Sequence, residues 1–180
     1  MTREQLFDIL RPIIMTVTGV PECILADPNA PSPQGEYASV EPLLSIRQRG
    51  QANIIRTDTA PVSSPIGPVN NSNVDVRAQV IANCSINFYR GDARYRASRL
   101  LQANKRPDIS VILFQNKIGW NGAEPINDLT ALQSNQREQR AQITIRLMYE
   151  IIDPVIINAI YSAQIIVENE KGDELLNVTV

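Results

Sequence analysis

Six basic side chains lie between positions 90 and 106, namely Arg90, Arg94, Arg96, Arg99, Lys105 and Arg106, against one acid, Asp92. A guanidinium group presents a planar fork that matches a carboxylate or a phosphate, so such a cluster suits ion pairing rather than proton transfer. Wound on a helix, the segment puts Arg99 on the outer face, with Arg94 and Arg96 on its flanks. Three uses fit: a solvated face with ordinary salt bridges, an interface to an acidic partner subunit, or contact with nucleic acid. Nucleic-acid readers interleave aromatics with their basic residues, and Tyr89 and Tyr95 supply only a thin version of that pattern. The net charge of −2 provides no global basic field.

The chain has no histidine. This removes the commonest general base and the commonest metal ligand together, and with them hydrolytic triads and histidine-based zinc sites. The sequence also lacks a G-x-x-x-x-G-K-[ST] loop, a G-x-G-x-x-G turn, a G-x-S-x-G elbow and a C-x-x-C pair. Carboxylates gather only near the end, at Glu168, Glu170, Asp173 and Glu174, where a solvated turn explains them better than a cation site does. Cys23 and Cys84 sit in apolar, strand-like settings and read as core residues rather than a redox pair. No catalytic residue, cofactor or metal ligand is expected.

The elements that must position the arginines begin with a strand. From Val74 to Phe88 every even position is apolar while the odd ones are mostly polar, a period of two that buries one face. After Tyr89-Arg90-Gly91-Asp92 the period lengthens, and Ala93, Ala97, Leu100 and Leu101 fall on one side of a helix. A second alternation runs through Ala141, Ile143, Ile145, Leu147, Tyr149 and Ile151, and the likeness of the two predicts antiparallel pairing in one sheet.

An N-terminal helix is predicted from a Thr2/Gln5 capping box and apolar residues at Leu6, Ile9, Leu10, Ile13, Ile14 and Val17. Pro12 should kink or split it, and Thr18-Gly19-Val20-Pro21 should end it. Strands are expected at Glu22 to Ala26 and Tyr37 to Ile46, the latter with Ala38, Val40, Leu44 and Ile46 on one face. Pro42 makes it an edge or bulged strand. Residues of about 48–73 read as a Pro-rich extended loop, either a mobile one or an arm reaching a neighbour. Ile109 to Phe114 reads as a buried strand, Lys117 to Asp128 as a loop with Trp120 as a packing anchor, and Leu129 with Leu132 as a helical turn. Val155 to Tyr161 fits either a helical turn or a strand, and Ala163 to Val180 fits a hairpin.

At 180 residues, 43% apolar and 20% charged, the chain fits a single soluble domain, 1–180, that buries about 70% of its unfolded surface. The expected class is α+β: a mostly antiparallel or mixed sheet with long strands, one or two helices on one face, and a C-terminal hairpin. No apolar run reaches membrane-spanning length. The start, Met1 to Gln5, lacks signal-peptide features and suggests a cytoplasmic site of synthesis.

Several segments together resemble the neck or tail terminator proteins of tailed bacteriophages. They are Thr18-Gly19-Val20-Pro21, Glu36-Tyr37-Ala38-Ser39-Val40, the corner Ser85 to Ala93, Asp128-Leu129-Thr130-Ala131-Leu132, and Arg137 to Ile143. The likeness spans roughly residues 10–152; the family pattern has an aromatic before Glu138, where this chain has Arg137. What the resemblance implies is a non-enzymatic virion protein, assembled in the bacterial host cytoplasm as a homo-oligomeric, usually hexameric, ring at the top of the tail. Its implied partners are the tail tube protein, the sheath where the tail contracts, and the head connector or stopper. Genome DNA would pass through the lumen without sequence-specific binding, and no membrane would be involved. The candidate subunit or partner contacts are then Arg90, Arg94, Arg96, Arg99, Trp120, Arg137 and Arg140. The rival expectation is a nucleic-acid-binding accessory protein that uses the basic 90–106 segment.

Overall fold

The fold comes from a computed structural model that describes residues 1–27, 29, 31–58, 62–64, 67–133, 136–159, 164–172 and 174–179. Its contacts group the chain into two units, Met1–Gln51 with Ala78–Ile151, and Ala52–Arg77 with Ile152–Val180.

The first unit opens with helix α1, Arg3–Thr18. The Thr2 hydroxyl accepts the Gln5 N–H at 3.2 Å while the Gln5 side chain accepts the Thr2 N–H at 2.8 Å, so the predicted capping box forms. Gly19 ends the helix in the left-handed region at φ 69°. Leu6, Leu10, Ile13, Ile14 and Val17 are buried. Pro12 does not split the helix: it sits on the exposed face, where the carbonyl deprived of its partner can meet solvent.

Strand β1 (Glu22–Leu25) runs parallel to β2 (Tyr37–Gln48), with Glu22 opposite Tyr37 and Leu25 opposite Val40. The second unit contributes β3 (Asn53–Asp58) and β4 (Val62–Ser64), and β5 runs Gly67–Tyr89 through both units. Then come α2 (Ala93–Leu100), a 3-10 turn (Ala103–Lys105), α3 (Pro107–Gln115), β6 (Gly119–Ala123) and β7 (Asn127–Asp128). A small hairpin, β8 (Ala131–Gln133) with β9 (Gln136–Glu138), leads into β10 (Arg140–Ala159). The chain closes on the hairpin β11 (Gln164–Glu168) and β12 (Glu174–Thr179).

The main sheet has the order β1-β2-β5-β10-β6, with β2 antiparallel to β5 and β6 antiparallel to β10. Arg140 reaches Asn87 and Gln142 reaches Ser85, so partners step in opposite directions along β5 and β10, as antiparallel strands require. One sheet face is apolar: Ala38, Val40, Cys84, Ile86, Phe88, Ala141, Ile143, Ile145 and Leu147 share a core with α1, α2 and α3. The α+β class and the mixed sheet thus follow the alternation read from the sequence.

Five local expectations change. Ile109 to Phe114 is helical, because Pro107 supplies a first-turn residue with preset φ and Asp108 favours a helix start; Ile109 and Leu113 are buried four apart while Val111 and Phe114 face outward. The 117–128 segment forms β6 and β7 on β10, and Gly119 and Gly122 do not prevent pairing at this edge. Leu129 and Leu132 lie on no helical turn; the Leu129 N–H donates to the Arg140 carbonyl and Leu132 is in β8. Residues 53–58 and 67–73 are strands rather than loop, since Asn53 to Asp58 pair with Arg77 to Ser72. Leu101 is exposed at the end of α2; Leu44, within a bulge between Glu41 and Ser45, and Ile46, just past it, are exposed as well. That bulge holds Pro42, past the stretch that β1 covers. Between the two alternatives for Val155 onward, the strand is observed as far as Ala159; Tyr161 lies outside the described residues.

In the second unit, β3 and β4 pair with the first part of β5, and β11 with β12 forms a separate two-stranded sheet. Here Ile152, Val155, Ile156 and Ile157 of β10 and Ile165, Ile166 and Val167 of β11 are exposed, Ile156 by 71%.

Candidate interaction site

The basic segment begins at a strand-to-helix corner. Arg90 takes a left-handed backbone at φ 64° and Gly91 follows at φ 53°. Such a pair turns the chain sharply from β5 into α2 and is costly for most side chains. A Cβ at Gly91 would also stand 2.0 Å from the Glu36 carboxylate, the end of a flexible side chain that would have to shift. That carboxylate ion-pairs with Arg96 one turn into the helix.

Arg90 holds the same loop from the other side. Its guanidinium donates to the carbonyls of Pro33 at 2.8 Å and Gly35 at 3.1 Å, and to that of Gln34. Its Nε lies 3.3 Å from Glu138, and its backbone N–H donates to the Gln139 carbonyl at 2.7 Å. One side chain thus ties the Pro-rich 33–36 loop and the entry to β10 onto the corner. The three carbonyls converge on one nitrogen, Nη1, while Nε faces Glu138.

Beside it Tyr37 and Tyr89 stack with centroids 4.5 Å apart and planes 6° from parallel, as their register across β2 and β5 allows. Arg140 lies over the Tyr89 ring at 5.0 Å and donates to Asn87 at 3.2 Å. Burial pushes the Tyr89 phenol upward, with Arg140 pulling the other way. A polar cleft of about 160 Å³ opens here, lined by Asp92, Arg94, Asp128, Thr130, Gln139 and Arg140 among others. Thr130 is held in it by Asp128, whose carboxylate accepts from the Thr130 N–H at 3.0 Å and from its hydroxyl at 2.6 Å.

The seven candidate contacts therefore divide. Arg90, Arg96 and Arg140 are engaged within the chain. Arg94 and Arg99 are exposed on α2 and enter no ion pair among the described residues, and Lys105 behind them is likewise exposed. Arg106, in contrast, bonds Asp108 through two nitrogens, at 3.1 and 2.6 Å, and that contact holds the Asp108 carboxyl below its usual range. Trp120 is partly buried against the core from β6. Arg137 lies in β9, but its side chain is outside the described part of the structure.

Glu36, Tyr37, Tyr89 and Glu138 are the partners that local reading did not supply. Counting charges only within 90–106 leaves one acid for six cations; the carboxylates that neutralise Arg96 and Arg90 come from positions 36 and 138. The available signal was their presence in three of the segments that carry the family resemblance.

Among the described residues, no three Cys, Asp or Glu side chains converge as a metal site, and no helix is long and apolar enough to cross a membrane. Arginines clamp loops to the sheet of the first unit, and strands of the second unit leave apolar residues exposed. The chain belongs to the phage neck terminator family, whose family model, described as phage neck terminator protein, matches residues 4–171. That family gives it a structural role in the phage neck or tail, in association with other head and tail proteins of the virion. No curated protein matches the sequence.

Proposed function

We propose that this chain is a tail terminator that assembles as a homo-oligomeric, hexameric ring, caps the tail tube and joins it to the head connector. Genome DNA passes through the lumen without sequence-specific contacts, and the protein has no enzymatic activity. The sheath of a contractile tail would be a further neighbour. Assembly takes place in the host cytoplasm, and residues 1–180 act as one terminator-like domain. The observation that carries this reading is the family match over 4–171.

Two features support it. Arg90 and Arg96 at the corner are paired within the chain, which fixes its loops to the sheet. The strands of the second unit leave apolar residues exposed, as surfaces that neighbouring proteins cover do. The nucleic-acid reading of 90–106 is weakened by the internal pairing of Arg90, Arg96 and Arg106.

Imaging of negatively stained protein, alone and with its tail tube, tests the proposal. Rings with a central hole are expected, sixfold in projection. A protein that stays strictly monomeric in both conditions overturns it. Double-stranded DNA should show no tight, steeply salt-dependent binding of the kind that counterion release produces.

A further inference from the structure

The terminal hairpin β11–β12 raises a physical difficulty. A two-stranded sheet is marginal in water by itself, and this one forms a separate sheet of only two strands. Ile165, Ile166 and Val167 are consecutive, so they project to both faces, and all three are exposed; Leu176, opposite Val167 across the hairpin, is exposed as well. A hairpin whose described apolar residues are exposed needs cover from elsewhere.

The charges around it narrow what the cover is. Glu168, Glu170 and Glu174 are exposed, against Lys171 as the one cation of the turn. None of these three glutamates enters an ion pair among the described residues. A matching surface must therefore offer apolar side chains rimmed by positive charge.

The first unit offers both kinds of group along one stretch of chain, α2 to α3. Arg94 and Arg99 lie exposed on α2 with Lys105 following, all three without an ion pair among the described residues. The same α2–α3 segment exposes Tyr95, Leu101, Val111 and Phe114, the last by 84%. It combines exposed aromatic and aliphatic groups with unpaired cations, the complement of the hairpin in both respects.

We propose that the β11–β12 hairpin of one copy docks on the α2–α3 surface of the next copy, with Glu168, Glu170 and Glu174 facing Arg94, Arg99 and Lys105. The inference rests on the ring reading and deepens it by naming the two halves of the subunit contact. Each copy carries both halves, at different places in the chain, so the contact is heterologous. Contacts of that kind, repeated head to tail, close into rings when the rotation allows. The apolar residues supply the binding energy, while the rim charges fix orientation and reject wrong partners.

The full chain can be tested by light scattering with two charge-reversed forms. One carries Arg94→Glu with Arg99→Glu; the other carries Glu168→Lys, Glu170→Lys and Glu174→Lys. Each alone sets like charges across the contact and should assemble on the order of ten- to a hundredfold more weakly. Mixed in equal amounts, the two restore attraction at every junction of an alternating ring, so wild-type assembly should return. Rescue on mixing is something that docking on the tail tube or the connector would not produce.

If the wild type forms rings and both variants assemble equally well alone, this contact assignment falls and the ring reading stands. Absent rescue by two variants with wild-type circular dichroism has the same meaning. A wild type that never assembles, even with tail tube, sinks both. Should either reversed form fail to fold, a chain carrying Arg99→Cys and Glu170→Cys decides: intermolecular disulfides on mild oxidation support the contact, and their absence in assembled rings overturns it. The native thiols will not interfere, because Cys23 and Cys84 are buried.

Discussion

The corner around Gly91 and the terminal hairpin use similar materials, charged side chains beside apolar strands, in opposite ways. At the corner each charge meets its partner inside the chain: Arg96 with Glu36, Arg90 with Glu138 and three carbonyls, Arg140 with Tyr89 and Asn87. The strands leading into it bury Ile86 and Phe88 completely. In the hairpin Ile165 and Ile166 are exposed and the glutamates beside them have no ion-pair partner among the described residues. The first arrangement stabilises a subunit, and the second, in the contact proposed above, acts when another surface arrives. Substitutions should separate the two regions by what they damage, folding in one and assembly in the other.

The largest contrast is expected between Phe88 and Ile156. Phe88 is fully buried in the main core, so Phe88→Ala should cost about 3–5 kcal/mol. Ile156 is 71% exposed, and Ile156→Ala should stay within about 0.5 kcal/mol in the isolated chain. Urea denaturation of both variants gives the comparison directly. Equal losses would mean that the second unit holds a core of its own.

Titration gives the next test, on the core side alone. Burial pushes the Cys23 thiol up to about 12 from an ordinary 9.0, and burial moves Cys84 in the same direction. The folded state therefore keeps its thiols protonated after the unfolded chain has begun to ionise. The resulting stabilisation is complete below the unfolded value near 9.0 and declines as pH rises toward about 12. The loss should be on the order of a few kcal/mol, seen as a falling urea midpoint above pH 9, and Cys23→Ala should flatten the slope. A midpoint independent of pH between 9 and 11 would show that the thiols are accessible in the folded protein.

At the corner, Gly91→Ala should cost about 1–3 kcal/mol, since it combines a left-handed backbone with a Cβ placed 2.0 Å from Glu36. Adding Glu36→Ala removes the clash but not the backbone cost. Because Glu36→Ala also breaks the ion pair with Arg96, the cost of Gly91→Ala is measured in the Glu36→Ala background by thermal or urea unfolding, where it should be smaller than in the wild type. No cost there would assign the whole effect to the carboxylate, and an unchanged cost would assign it to the backbone.

How much of this was legible in sequence depends on how far apart the interacting residues lie. The period-two runs through Val74 to Phe88 and Ala141 to Tyr149 placed the core strands, because each position's environment repeats along its own strand. The capping box at Thr2 and Gln5 was equally local. Ile109 to Phe114 failed because a short apolar run carries no period of its own, and its helix start at Pro107-Asp108 lay just outside the run. Leu44 failed because it falls within a bulge, which pairing imposes; Ile46 shares the face of its partner Ala82 but is exposed there. For the arginines, type and spacing showed that ion pairing was the chemistry. They did not show which ones were already paired, because Glu36 and Glu138 come from segments that only the sheet brings near.

The smallest expected effects distinguish members of one arginine cluster. Arg90→Ala removes a cation that organises three carbonyls and Glu138, but its side chain is 37% exposed, so solvent screening limits the loss to about 1 kcal/mol. Arg94→Ala removes an exposed side chain with no ion pair among the described residues and should change unfolding by less than about 0.5 kcal/mol. The order reverses when ring formation is followed by light scattering: if α2 carries the subunit contact, Arg94→Ala weakens assembly in a salt-sensitive way while the fold is untouched. An Arg94→Ala chain that loses stability as much as Arg90→Ala does would place Arg94 within the internal network instead. The outer face of α2 would then have Arg99 to offer a neighbour, with Lys105 on the following 3-10 turn.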